Sequence, residues 1–244
     1  MVTCDCIGTA PVLTDTEESD LDYFVCHLVN DIRPLLAAYR GHVSCLVHCT
    51  ENGRQKSEYA VEFAARNGHL NCLIHCTENG YPKINCASST AAVDGHLACL
   101  EHCTAHGYPK NVWTSAYAAK NGHFACLEHC TLNGYAKHEW TSFYAAQNGH
   151  LACLEHCTTH GYSKGERTSY YAAQSSHWDC VLHCMDHDYP CSDKTRRRVD
   201  EYVHRQRILA HAIVDTWYPF IHDAVYDVLA LVGVLERVWP DVFH

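Results

Sequence analysis

No stretch of the sequence stays apolar for long enough to cross a bilayer. The longest candidate, Phe220 to Val238, is broken by His222, Asp223, Asp227, Glu236 and Arg237, whereas a span needs about 20 predominantly apolar residues. The first twenty residues are acidic and lack a basic start followed by an apolar run, so no secretory signal is expected either. Basic charge is scarce, with 18 Lys and Arg against 28 Asp and Glu for a formal charge of −10. Sequence-independent binding to nucleic acid or to an anionic membrane needs a basic face, so neither partner is expected. The one basic run, Lys194 to Arg198, reads as a solvated linker, with an import signal or a phosphate patch as the alternatives.

Cysteine, by contrast, is abundant at 17. Without a leader, that points to an intracellular, reducing compartment, with free thiols or metal ligands in place of disulfides. Hydrophobic residues at 47% and charged residues at 19% of 244 positions describe a folded chain with core enough for one domain or a short array.

The stretch GHLACLEHCT occupies residues 95–104 and 149–158, and GHFACLEHCT, differing by one residue, occupies 122–131. The frame extends beyond them. Histidines stand at His42, His69, His96, His123, His150 and His177, every interval being 27 residues. Each opens His-x2-Cys-x2-His-Cys, from His42, Cys45, His48 and Cys49 to His177, Cys180, His183 and Cys184. An alanine pair precedes each one, from Ala37-Ala38 to Ala172-Ala173. Six units in one frame make a repeat array.

Within a unit the punctuation gives two helices. In the fourth, WTSAYAAKNG has an N-cap in Thr114 and a left-handed stop at Asn121-Gly122. The second helix runs from His123 to the stop at Gly134, with Phe124, Cys126, Leu127 and Cys130 at helical spacing. So short a pair cannot bury its apolar face alone, and neighbours must stack.

The frame Ala-Ala-x-x-Gly-His, followed by a helix ending in Asn-Gly, resembles the ankyrin repeat. More closely, AAQNGHLACLEHCTTHGY is similar to the short ankyrin-type repeats of large DNA viruses that infect protists. The resemblance covers residues 31–191. It implies an all-α solenoid of six stacked helix-turn-helix repeats, a non-enzymatic role in protein–protein interaction, and a viral protein acting on a host or virion partner. Two departures stand out: the period is 27 where about 33 is usual, and no Thr-Pro-Leu-His opens the first helix. The β-hairpin finger is therefore expected to be shortened to a loop, and stacked tetratricopeptide units remain the structural alternative.

The flanks divide into a mobile tail over 1–19, an N-terminal capping helix over 20–30, and a C-terminal helical cap or docking segment over 192–244. In the capping helix Leu21, Phe24, Val25, Leu28 and Val29 form one stripe, and Pro34 suits the first turn of the first repeat helix. The C-terminal part reads as two helices broken near Pro219, the second with Val225, Leu229, Val232 and Leu235 inward. It is apolar enough to support homo-oligomer formation.

The histidines and cysteines have two readings. On a helical wheel all four residues of a unit fall within about a third of the circumference, which makes them core positions. Cysteine then acts as a small hydrophobe, the first histidine bonds neighbouring backbone, and the second satisfies one ring nitrogen locally. The alternative is a zinc-stapled rod. Its candidate ligands are Cys72, His75 and Cys76; His96, Cys99, His102 and Cys103; His123, Cys126, His129 and Cys130; and His150, Cys153, His156 and Cys157. Cysteines one turn apart can chelate one ion, but closing a tetrahedral site requires ligands from adjacent units. No cofactor is assigned. Catalysis finds no support, because six equivalent buried copies make no active site and Cys4 and Cys6 sit in a tail without preorganisation.

In a solenoid the shared residues build the scaffold and the varying ones face the ligand. Variation concentrates in the loop before the first helix and along one side of that helix. The resulting stripe includes Tyr59, Trp113, Tyr117, Lys120, Trp140, Tyr144, Arg167 and Tyr171. Aromatic residues and arginine are the types enriched at interface hot spots, so this is the expected partner-binding surface, the alternative for the tyrosines being packing between repeats.

Overall fold

The computed structural model describes residues 33–217. Those residues form thirteen helices, and no strand occurs among them. The first twelve pair into six repeats: α1 (Arg33–Arg40) with α2 (Val43–Glu51), α3 (Glu58–Arg66) with α4 (Leu70–Glu78), and α5 (Ala87–Val93) with α6 (Leu97–Ala105). Then follow α7 (Thr114–Lys120) with α8 (Phe124–Leu132), α9 (Thr141–Gln147) with α10 (Leu151–Thr159), and α11 (Thr168–Gln174) with α12 (Trp178–Asp186). A long α13 (Asp193–Trp217) closes the array. Among the described residues each repeat packs chiefly on its neighbours. The tail over 1–19, the capping helix over 20–30 and the helix carrying Val225 to Leu235 lie outside the described residues.

The alanine pair explains the tight corner between paired helices. In the fourth repeat His123 N donates to Ala118 O at 2.9 Å and Gly122 N to Ala119 O at 3.4 Å. These two bonds, closed over a left-handed glycine at φ 75°, form a Schellman ending. His123 thereby ends one helix and serves as N-cap of the next. Alanine suits both positions because nothing larger fits: Ala118 and Ala119 are fully buried. The first helices, built of small residues, pack on one another more extensively than the second helices do.

Between the two rows lies a continuous core of one leucine and two cysteines per unit. Leu46, Leu73, Leu100, Leu127 and Leu154 are fully buried, with Val181 in the sixth place. Each such side chain is worth about 1.5–3 kcal/mol of burial.

Two local expectations are corrected. Thr114 is not the N-cap; Trp113 is, at φ −88° and ψ −7° without a side-chain cap bond, and Thr114 is the first helical residue. The loop instead caps itself, with Asn111 Oδ1 accepting from Trp113 N at 2.9 Å and Asn111 O accepting from the Thr114 hydroxyl at 2.8 Å. The basic run Lys194 to Arg198 is not a linker but the opening of α13. Thr195 and Val199, one helical turn apart, are buried against the sixth repeat, while Trp178 stacks on Tyr202 at 4.6 Å. Arg198 lies over the Trp178 ring and Lys194 over Tyr170. Charge on the outer side of a helix does not prevent its other side from docking. No helix among the described residues is long and apolar enough to cross a membrane.

Candidate interaction surface

The repeated histidines are used between repeats. Thr104 Oγ1, in α6, donates to Leu100 O at 2.8 Å. The same oxygen lies 2.9 Å from His129 Nε2 and 2.9 Å from the Tyr135 hydroxyl, both in the following unit. A hydroxyl has one proton, and here the carbonyl takes it, so His129 must donate through Nε2–H. The triplet recurs as Thr50–His75–Tyr81, Thr77–His102–Tyr108, Thr131–His156–Tyr162 and Thr158–His183–Tyr189. In the first unit His48 Nε2 lies 3.2 Å from Asn52 Nδ2 of its own unit, whereas from the second repeat onward the second histidine finds its Nε2 partner one repeat away. Its Nδ1 is the local atom, facing Asn133 Nδ2 at 3.2 Å in His129.

The array ends confirm this use. Where five units carry the threonine, the sixth has Met185, with no seventh repeat to bond. Where five carry the tyrosine, the first has Arg54.

The first histidine slides its ring beneath the glycine of the preceding unit. His69 Nε2 meets Tyr39 O at 3.0 Å, His123 meets Val93 O at 3.0 Å, and His150 meets Lys120 O at 3.1 Å. Beside this seam runs a lysine row. Lys83, Lys110, Lys137 and Lys164 each donate to the C-cap carbonyl of the next repeat and lie over its tyrosine ring. A cation at a helix C-terminus answers both the open carbonyls and the dipole.

The cysteines lie in the dry core. Cys72, Cys76, Cys99, Cys103, Cys126, Cys130, Cys153 and Cys157 are at most 1% exposed. Burial pushes Cys126 up to about 11 and Cys130 up to about 12, so both are neutral thiols at pH 7. Metal ligation requires thiolate. The zinc candidates His75, His102, His129 and His156 have Nε2 on a threonine, and His123 and His150 have it on a carbonyl, while His96 stacks beneath Gly68. Among the described residues no group of three or more His, Cys, Asp or Glu is placed to hold a metal ion. A chelator is accordingly expected to leave the melting temperature unchanged; a clear fall with stoichiometric zinc release would assign these residues to metal.

The varying stripe forms a row along the first helices. Tyr59 is 55% and Trp140 37% exposed, Lys120 and Arg167 are exposed, and Trp113, Tyr117, Tyr144 and Tyr171 are half-buried. Rings touch along it: Trp113 with Tyr117 at 6.0 Å, Trp140 with Tyr144 at 6.1 Å, and Phe143 with Tyr171 at 5.1 Å. Lys120 lies over the Tyr144 ring, joining the fourth repeat to the fifth. Phe143 is 8% exposed and braces the row from below, a role its place beside Tyr144 in the sequence does not reveal. Tyr59 stands apart from this run, in the second repeat.

Stacked helix pairs, left-handed glycine stops and bonds shared only by neighbours define a helix-turn-helix repeat solenoid. No family model matches the chain, and no curated protein does. Solved structures do match. The crystal structure of the human ASB11 ankyrin repeat domain is similar with a TM-score of 0.58 and 20% sequence identity, over 65% of this chain and 84% of that one. The chain thus has the ankyrin-repeat fold, with loops in place of hairpin fingers among the described residues.

Proposed function

We propose that the chain is a non-enzymatic scaffold that captures a partner protein on the aromatic row of its first-helix face. One observation carries this reading. The residues shared by the repeats are used in bonds between repeats, while those that vary form a connected run of exposed and half-exposed aromatics on a rigid face. Such rings present large contact area at little cost in conformational entropy. The sequence likeness to repeats of large DNA viruses of protists supports reading it as a viral protein with a partner in an infected cell or a virion, and the buried thiols suit a reducing compartment. The test is capture of partners from host lysate by the intact chain and by a Trp113→Ala plus Trp140→Ala double variant. Hot-spot loss of about 2 kcal/mol or more per ring is expected to abolish capture. Unchanged capture at an unchanged melting temperature would move the site off this face.

A further inference from the structure

The loops before α7, α9 and α11 are built alike, yet one of them leaves a ring uncovered. In the fourth repeat the Trp113 ring is covered by His138, which comes from the next repeat's loop and sits 3.8 Å away centre to centre. One repeat later, the position that would cover Trp140 is residue 165, and it is glycine. Trp113 is half-buried, whereas Trp140 remains 37% exposed.

The missing cover leaves a cavity of about 280 Å³, open to solvent and lined by Glu139, Trp140, Phe143, Gly165, Glu166 and Thr168 among others. Trp140 and Phe143 meet edge to face at 87°, forming two perpendicular aromatic walls. A second departure falls at the same place. The hydroxyls of Thr114 and Thr141 donate to the carbonyl three residues back, at 2.8 and 2.7 Å. Thr168, equally buried, has no partner for its hydroxyl at the cavity's edge.

We propose that the cavity beside Trp140 receives an arginine side chain of the partner protein, its guanidinium lying where His138 lies over Trp113. The assignment rests on the proposed first-helix binding face and deepens it. A planar group is indicated because the fold itself places a planar ring at the equivalent site. A cation is indicated because the exposed carboxylates of Glu139 and Glu166 outnumber the guanidinium of Arg167 at the rim. Guanidinium is planar, stacks on indole and donates in several directions, so its N–H groups can meet the rim carboxylates while its face covers the ring. Lysine offers the charge without the plane. The chain's net charge of −10 favours approach of a basic partner.

The test titrates the full chain with N-acetyl-arginine amide while following the Trp140 indole N–H by NMR. The same titration is run with the citrulline amide, of like shape but uncharged, and with the lysine amide. A saturable shift is expected with arginine, about tenfold weaker for the other two. The decisive variant is Gly165→His, which supplies from within the ring that the site lacks. A Cβ there meets only Thr168 Oγ1, at 3.4 Å, so folding is expected to be intact; Gly165→Asn, matching Asn111, takes its place if the melting temperature falls. Either variant is expected to lose the arginine shift, and Glu166→Gln to weaken it severalfold. No shift at the highest arginine concentration, equal binding of citrulline or lysine, or arginine binding retained in Gly165→His would each overturn the assignment. Loss of partner capture in the double tryptophan variant, with capture retained in Gly165→His, would leave the binding face standing and remove only the arginine.

Discussion

Replacing Gly122 by alanine is expected to destabilise the array by about 3–4 kcal/mol, and replacing Gly107 by alanine by only about 1–2 kcal/mol. Both glycines hold left-handed backbone, at φ 75° and 66°. For a residue with a Cβ that conformation alone costs about 1–2 kcal/mol. The surroundings separate them. A Cβ on Gly107 would meet nothing within 4 Å, whereas one on Gly122 would fall 2.6 Å from His150 Nδ1. The His150 ring must then move, giving up its bond to Lys120 O and its place in the seam, for about 1 kcal/mol of hydrogen bond plus the strain of overpacking. The chain contains its own control: in the sixth unit, followed by α13 in place of another repeat, Ser176 occupies this position at φ 62°. Urea melts of the two variants make the comparison. Equal losses would show that the ring yields freely and that the first histidine is not a structural wedge.

The same glycine and histidine show how far the sequence could be read unaided. The 27-residue period, the alanine pairs and the Asn-Gly stops fixed six helix pairs, because each depends on the chain's own neighbours. The partners of the histidines depended on something local spacing does not contain. Thr104 and His129 are 25 residues apart and meet only when one unit stacks on the next. A signal was present nonetheless: threonine and tyrosine recur in the same frame as histidine, and Met185 and Arg54 break it at opposite ends, each where a neighbouring repeat is missing. Thr114 misled because threonine is a good N-cap by type, while here Trp113 takes that position, Asn111 ties the loop together and threonine is left to be buried. The basic run misled because charge was weighed without the turn-spaced Thr195 and Val199 within and beside it. The stripe from Trp113 to Tyr171 was readable because variation against a fixed frame is itself a pattern. The vacancy over Trp140 was not, since it requires knowing that residue 138 reaches back over residue 113.

Stability is expected to be greatest between about pH 7 and pH 9 and to fall on both sides, more steeply on the alkaline one. The acid limb comes from the second histidines. Burial, the largest influence, holds His75, His102, His129, His156 and His183 below their ordinary value of 6.5. Neighbouring His106, His160 and His187 push the same way on His102, His156 and His183, and nearby Glu78, Glu101, Glu128 and Glu155 oppose it. The unfolded chain therefore takes up protons first as pH falls through 6.5, and folding stability drops. The alkaline limb comes from the core. Burial pushes Cys72, Cys99, Cys126 and Cys153 up to about 11. It pushes Cys76, Cys103, Cys130, Cys157, Cys180 and Cys184 up to about 12. Here the unfolded chain loses protons first, from the ordinary value of 9.0 upward, so stability is full below that value and declines through about 11–12. Ten thiols with wide separations outweigh five histidines, of which only His156 is buried and the rest half-buried. Melting temperature followed from pH 5 to pH 11 under reducing conditions checks both limbs, and His129→Gln and Cys126→Ala should each flatten their own. A flat curve from about pH 8.5 to 9.5, where lysine and tyrosine are still mostly protonated, would mean that the thiols ionise in place. That result would also reopen the His-Cys frame as a ligand set, because a thiol that ionises readily in the core can exchange its proton for a metal, and one held neutral to about pH 12 resists that exchange.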